Sequence, residues 1–188
     1  MRYDKKKGYF SHNLEKMCLT LKKINQDDIN CLSKAKALYY RAFPKNERRS
    51  FAELISHRSG DTEVFCFCDE DLFVGMAVVM TSPNIAHIIY LAIDDALRGH
   101  GYGSQALNIL HEFYAEKKFI VDIELPDHTA KNEEQRVKRK RFYTRAGYRE
   151  TEIKYRWRNE NYEILSFGGT ISKKDYDNFW KHFNFNQT

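Results

Sequence analysis

The stretch that most constrains this chain runs from Ala86 to Tyr114, AHIIYLAIDDALRGHGYGSQALNILHEFY. Ala86 to Ile93 is an Ile-rich apolar run bounded by turn residues, which predicts a mostly buried strand. Asp94 to Tyr102 is polar and leads through Arg98-Gly99-His100-Gly101-Tyr102-Gly103. From Gly103 onward Ala106, Ile109 or Leu110, and Phe113 recur at helical spacing, so a helix follows that packs one face on a sheet. Strand, glycine-rich loop and helix together make an anion-binding arrangement. The first helical N–H groups have no intrahelical partner, and the helix dipole adds partial positive charge there. Alternating glycines let the backbone adopt unusual angles and let a bulky anion approach. The spacing is neither the dinucleotide fingerprint G-x-G-x-x-G nor a Walker loop, since no Gly-Lys-Ser/Thr follows.

A chain of 188 residues with 42% hydrophobic content can bury one substantial core. No apolar run approaches the ~18 residues of a membrane span, and the N-terminus has charge but no apolar segment of a secretory signal. The four cysteines, Cys18, Cys31, Cys66 and Cys68, show no zinc spacing. Cys66 and Cys68 face one side of a strand and read as core packing, in keeping with a reducing cytoplasm. The net charge of +5 suits a polyanionic ligand. The basic run Arg136-Val137-Lys138-Arg139-Lys140-Arg141 reads as a solvated helix face, with a nucleic-acid patch as the alternative.

Taken in order, residues 1–16 are polar and aperiodic, a loose extension ahead of a single domain over 17–188. Cys18 to Ile24 reads as the first strand. Asp27 and Asp28 supply capping residues for a helix with Ile29, Leu32, Ala35, Leu38, Tyr39 and Ala42 on one face, ended by Pro44. Glu47 to His57 reads as a second helix. Val64–Cys68 and Leu72–Met80 form a hairpin, and Ser82-Pro83-Asn84 turns into the central strand. Phe119–Leu125 is a strand with Phe119, Val121, Ile123 and Leu125 on one face and Ile120, Asp122 and Glu124 on the other. A charged helix, Lys131–Ala146, ends at Gly147. Tyr148–Trp157 and Tyr162–Phe167 are strands, and Ser172 with Asp175 opens a last helix as a variant capping box. The order β-α-α-β-β-β-α-β-α-β-β is a mixed α/β, α+β-like domain.

Arg98, Gly101 and Gly103 fill the pattern [Arg/Gln]-x-x-Gly-x-[Gly/Ala], and Phe142-Tyr143-Thr144-Arg145-Ala146-Gly147-Tyr148 fills Phe-Tyr-x-x-x-Gly-[Phe/Tyr]. In these two motifs, and in the strand and helices around them, Cys18 to Phe167 resembles the GNAT acetyltransferase superfamily. The resemblance implies a twisted, mostly antiparallel sheet flanked by helices and splayed between the central strand and the one after the cofactor helix. It implies an N-acetyltransferase that moves an acetyl group from acetyl-CoA to a primary amine by direct attack in a ternary complex, with no metal. A non-catalytic acyl-CoA-binding or regulatory module on the same fold is the alternative.

The same resemblance implies site residues. Leu91, Ala92 and Ile93 would offer main-chain groups to the thioester and its developing charge. Arg98, Gly99, His100, Gly101, Tyr102, Gly103 and Ser104 would surround the pyrophosphate, with His100 and Tyr102 pointing outward and Ser104 capping the helix or donating to phosphate. Tyr143 would protonate the departing thiolate, a task for a phenol that stays protonated at neutral pH; packing under the sheet is its other reading. For the base, His87 on the central strand and Glu124, with Asp122 beside it, stay open. Glu47 would meet a cationic amine, although a glutamate at a helix start is favourable on dipole grounds alone. The acceptor is then a small molecule or a peptide amine, with no membrane or nucleic-acid partner, and a homodimer is compatible with all of it.

Overall fold

The Ile-rich run forms the central strand of the sheet. The computed structural model describes residues 2–4, 9–11, 19–24, 28–56 and 61–183. Its elements are β1 Arg2–Asp4, β2 Tyr9–Ser11, β3 Leu19–Lys23, α1 Ile29–Ala42, α2 Phe51–Ile55, β4 Thr62–Asp69, β5 Leu72–Thr81, β6 Ile85–Ile93, α3 Tyr102–Phe113, β7 Lys118–Glu124, α4 Glu133–Arg145, β8 Arg149–Trp157, β9 Glu160–Phe167 and α5 Lys173–His182. Seven strands make one sheet in the order β3-β4-β5-β6-β7-β9-β8. Only β6 and β7 run parallel, joined by the crossover helix α3; the other pairings are antiparallel. β1 and β2 pair with each other apart from this sheet. The remainder of the 1–16 stretch, and Cys18, lie outside the described residues.

The sheet is covered on both faces at its centre, which is why β5 and β6 are largely apolar, while β3 and β8 at its edges are mostly polar. One face carries α3 and α4, with Phe65, Ala86, Ile88, Leu107, Leu110, Val121 and Tyr143 among its core. The other carries α1 and α2 at one end, over Val64, Met76, Val78, Tyr90 and Ala92. At the other end α5 sits over Met80, Ile85, Ile120 and Ile164. Local signals set the helix ends. The Asp28 side chain accepts from the N–H of Cys31 at the start of α1, and Ser172 and Asp175 form a reciprocal capping box on α5.

Some expectations are corrected. α2 starts at Phe51, so Glu47 lies in the preceding turn, where its N–H donates to Pro44 O, and no helix dipole acts on it. The positions predicted to bury one face of two helices also give way at their ends: Ile29 and Phe113 are exposed, and Tyr114 takes the inward place. The basic run is a solvated face only in part: Lys138, Arg139 and Arg141 are exposed, but three of its side chains reach acidic partners on the sheet. Arg136 is buried and ion-paired to Glu124 (3.2 Å) and Glu160 (2.9 Å), Arg139 pairs with Glu124 (2.7 Å), and Lys140 with Glu163 (2.8 Å). These three side chains lie three and four residues apart, on one helical face. α4 is thus held to the sheet by charge along that face and by aromatic packing at Phe142 and Tyr143.

Candidate active site

Two irregularities in β6 create an opening in the sheet. Val78 pairs with Tyr90 and Val79 with Ile88, so Ile89 is an extra residue, a bulge, on the β5 side. On the other side β6 pairs with β7 only from Ile85↔Lys118 to Ile88↔Val121. Beyond that register the strands part, and the β7-facing edge of β6 from Ile89 to Ile93 has no ladder partner among the described residues. Leu91 and Ile93 therefore turn main-chain groups toward the opening, while the main chain of Ala92 between them pairs with Met76 of β5; the three side chains stay in the cores on the two faces. Gly75, opposite Ile93, keeps this edge in place: a Cβ there would lie 2.4 Å from the carbonyl oxygen of Ala92.

The strand ends in a loop shaped for a helix start. A 3₁₀ turn, Asp95–Leu97, is closed by Arg98, whose Nε donates to Ile93 O (3.3 Å) and whose guanidinium pairs with Asp95 (2.8 Å). Arg98 thus braces the loop against the end of β6. Gly99 (φ +83°) and Gly101 (φ +89°) occupy left-handed backbone conformations that favour glycine. Gly101 is the N-cap of α3 and offers no side-chain acceptor to its first N–H groups. Space beside the Gly99 Cα is open. An uncapped helix end beside open space suits an anion.

Three loop residues differ from expectation. Tyr102 turns inward: it is buried and its hydroxyl donates to Asp69 (2.7 Å), pinning the start of α3 to β4. Gly103 has ordinary helical backbone, and its small size serves packing, because a Cβ would press within 3.2 Å of the Phe142 ring. Ser104 does not cap α3; it is the third helical residue, and its N–H donates to Gly101 O (3.1 Å). His100 is exposed, with Nδ1 3.2 Å from Leu97 O.

Tyr143 lies on α4 between Phe142 and Tyr148 (ring centroids 5.1 and 5.2 Å). Burial pushes its phenol up to about 12, with the nearby Arg139 charge acting against this and Asp122 adding to it. Its hydroxyl makes no hydrogen bond among the described residues, and it is not one of the fully enclosed polar atoms. It is therefore a protonated donor with its capacity free, within electrostatic reach of Asp122. The turn that follows is fixed by Gly147 (φ +89°). Behind it the Tyr148 hydroxyl meets His111 Nε2 (3.0 Å), and His111 stacks on Phe167 (3.8 Å).

The β7 bank carries the carboxylates. Glu124 is buried and held by Arg136, Arg139 and Asn132 Nδ2 (3.2 Å). His87 is fully enclosed, with Nε2 against the Asp122 carboxylate. It does not face the opening directly, which a base acting alone would have to do. Tyr155 donates to the other Asp122 oxygen (2.5 Å). Across the opening the connection between α1 and α2 is tied down by two tyrosines. The Tyr90 hydroxyl donates to Glu47 O (2.7 Å), and that of Tyr39 to Arg49 O (3.1 Å). Arg158, at the β8–β9 turn, donates to Asn46 O. Burial, then the charge of Glu124, raises the pKa of half-buried Glu47 above the ordinary carboxylate range. Tyr90, Tyr155 and Arg158 were not picked out by sequence reasoning; nothing in their local pattern marks them.

Comparison with known proteins accords with this geometry. Residues 60–150 match the family Acetyltransferase (GNAT) domain. No curated protein matches the chain by sequence. Among solved structures, a protein described as a GNAT-family acetyltransferase from Bacteroides thetaiotaomicron superposes with a TM-score of 0.73 at 23% identity, covering 86% of this chain and 94% of that one. An aminoglycoside 6'-N-acetyltransferase complexed with coenzyme A gives 0.62 at 13% identity, covering 79% and 96%. The ribosomal-protein-S18-alanine N-acetyltransferase from Escherichia coli gives 0.60 at 16%, covering 84% and 97%. No helix among the described residues is long and apolar enough to cross a membrane. A mixed α/β sheet opened beside its central strand and an uncapped glycine-led helix after that strand give the chain the GNAT fold, and residues 60–150 within it match the GNAT acetyltransferase domain.

Proposed function

We propose that this chain is an N-acetyltransferase that moves the acetyl group of acetyl-CoA to a primary amine in a ternary complex, working as a single domain from residue 17 onward. The observation that carries the reading is the continuity of the free β6 edge at Ile89–Ile93 with the uncapped start of α3. Along the segment Leu91, Ala92 and Ile93, the main-chain groups of Leu91 and Ile93 would align the pantetheine arm and its thioester. The amides from Gly99 to Ser104 would hold the pyrophosphate, with Arg98 bracing the loop and His100 beside it. These residues fit such a ligand: the edge offers unpaired backbone groups, and the helix end offers uncapped N–H groups. Acetyl-CoA supplies the activated acyl group; the chain supplies position and protons.

Main-chain N–H groups of β6 aimed at the carbonyl would stabilise its negative charge during attack. Tyr143 would give its proton to the departing sulfur, because burial keeps it protonated through neutral pH. Glu47 and the carboxylates of the β7 bank would draw a cationic amine into the opening. Glu124, engaged by two arginines, serves there as an anchor for α4, and its use as a base would require release from them. A cysteine route is disfavoured: the free thiols of Cys66 and Cys68 lie on the α1 side, and burial pushes both up, away from the reactive thiolate.

The binding half of the reading is tested by melting temperature. Acetyl-CoA should raise it with dose, as a native-state ligand does. Gly101→Asp should abolish the shift, because an N-cap aspartate occupies the helix N–H groups itself and repels phosphate. A Gly101→Asp protein that folds and binds as wild type would show the loop assignment to be wrong.

A further inference from the structure

The seven-stranded sheet ends on β8, whose outer edge has no ladder partner among the described residues. Main-chain donors and acceptors along such an edge are a template for another strand. The side chains of β8 alternate between the two faces of the sheet. Glu150 lies opposite Leu165 and Lys154 opposite Glu163 on β9, and both of those partners pack toward α4. Glu150, Glu152, Lys154 and Arg156 therefore stand on the α4 face. Ile153 and Tyr155 stand on the other, packed in the core under α5. The register with β9 shifts between Glu150 and Lys154. There the Thr151 hydroxyl donates to Ile164 O (2.8 Å) and accepts from the N–H of Ile153 (3.1 Å), so the irregularity is satisfied on the β9 side.

Charged side chains on an edge usually repel a second strand. Here the order of signs does the opposite. From Glu150 to Arg156 the α4 face reads minus, minus, plus, plus. Glu152 and Lys154 are exposed and make no ion pair among the described residues, while Glu150 reaches Lys140 (2.8 Å) and stays 63% exposed. Reversed about Ile153, this order is its own complement. An antiparallel second copy on that axis sets Glu150 opposite Arg156 and Glu152 opposite Lys154, each pair made twice. Sliding by one residue along each strand sets Glu152 opposite Glu152 or Lys154 opposite Lys154, and a parallel copy in register sets every like charge together; like charges directly opposite are destabilising. On the α5 face the favoured register brings Ile153 beside Ile153 and Arg149 to the indole of Trp157, which is 40% exposed in the single chain.

We propose that β8 is the interface of a homodimer, in which two copies of this chain pair antiparallel through their β8 edges about a two-fold axis at Ile153 and join their sheets into one. A two-fold axis makes the same patch serve both copies, which is what a self-complementary strand supplies. The inference goes beyond the acetyltransferase reading and does not depend on it. The interface ends near the opening: the Trp157 ring carries the Arg158 guanidinium (4.3 Å), and Arg158 donates to Asn46 O on the α1–α2 connection. Pairing at β8 thus steadies the turn that reaches across the opening.

Sedimentation velocity on the full chain tests this from ~1 to ~300 µM, a range suited to an interface as small as one strand pair. The wild type should pass from monomer to dimer across it. Amide exchange over Arg149–Trp157 should slow as the dimer forms. Lys154→Glu sets glutamate against glutamate twice at the axis, and Glu152→Lys sets lysine against lysine twice. Each should weaken association about tenfold or more. The double variant Glu152→Lys/Lys154→Glu restores both attractions and should associate as the wild type does. Both side chains are exposed, so folding should persist; if one single variant does not fold, the other decides. A wild type that stays monomeric throughout overturns the proposal. So does a dimer equally tight in the single variants, a double variant as weak as the singles, or protection that rises only outside β8.

Discussion

The two banks of the opening are built from different materials. The β6 bank is main chain: a strand edge released by the bulge at Ile89, a loop braced by Arg98, and a helix end left uncapped by Gly101. The β7 bank is side chain: Asp122 with His87 and Tyr155, and Glu124 clamped by Arg136 and Arg139. The difference follows from what each bank would hold. A pantetheine arm and a pyrophosphate can be recognised by backbone amides, which any sequence supplies once the geometry is right. An amine needs charge and a place for its protons, and only particular side chains provide those. The β6 bank should accordingly be sensitive to shape and the β7 bank to charge.

The largest effect is expected on the β7 bank. Arg136→Ala leaves Glu124 buried with one partner fewer and frees Glu160, Asn132 and the carbonyl of Leu125. Removing one partner of a buried ion pair costs about 3–5 kcal/mol; urea unfolding measures it, and a cost under ~1 kcal/mol, as for an exposed pair, would mean charge does not hold this bank. On the β6 bank, Gly75→Ala forces a methyl against the carbonyl of Ala92. Overpacking of this kind costs about 1–3 kcal/mol, and it should weaken the acetyl-CoA melting shift because the strand edge must move. An unchanged shift would separate Gly75 from the ligand edge.

The smallest effect concerns pH. Burial depresses the His111 pKa to about 4, against an ordinary value of 6.5. The folded state therefore favours the neutral ring, so the unfolded chain binds more protons between these values. Stability from this source is complete above about pH 6.5 and is lost as pH falls toward 4. His111→Gln should flatten that part of the stability profile while leaving the neutral-pH assay of acetyl transfer largely in place. An unchanged acid limb would assign it to other groups.

The same contrast explains what could be read from the sequence. The β6 bank lies in one contiguous stretch, and its strand, glycines and helix each left a local pattern from Ala86 to Tyr114. The α4 motif from Phe142 to Tyr148 was legible for the same reason, as was the capping box at Ser172. The bulge was not, since Ile89 is one more isoleucine in an apolar run and only the β5 register exposes it. The inward turn of Tyr102 depends on Asp69, and the place of Glu47 on the tyrosine at position 90. The basic run was read only in part, exposed at Lys138 and Arg141, because the partners of its other cations, Glu124, Glu160 and Glu163, lie on strands. One signal was present: Arg136, Arg139 and Lys140 fall on one helical face, too orderly for charges that merely meet water.

The most direct measurement follows thiol release from acetyl-CoA by wild-type protein and Tyr143→Phe, with the acetylated amine identified by mass. The substitution removes one hydroxyl that makes no hydrogen bond among the described residues, so folding and the acetyl-CoA melting shift should persist. Turnover should fall ~10²–10⁴-fold, or about 3–5 kcal/mol of barrier. The loss should be smaller with an acetyl donor whose thiol is more acidic, because that leaving group needs less help. Wild-type protein that releases no thiol with any amine, or a Tyr143→Phe protein that turns over as fast as wild type with both donors, would contradict the account.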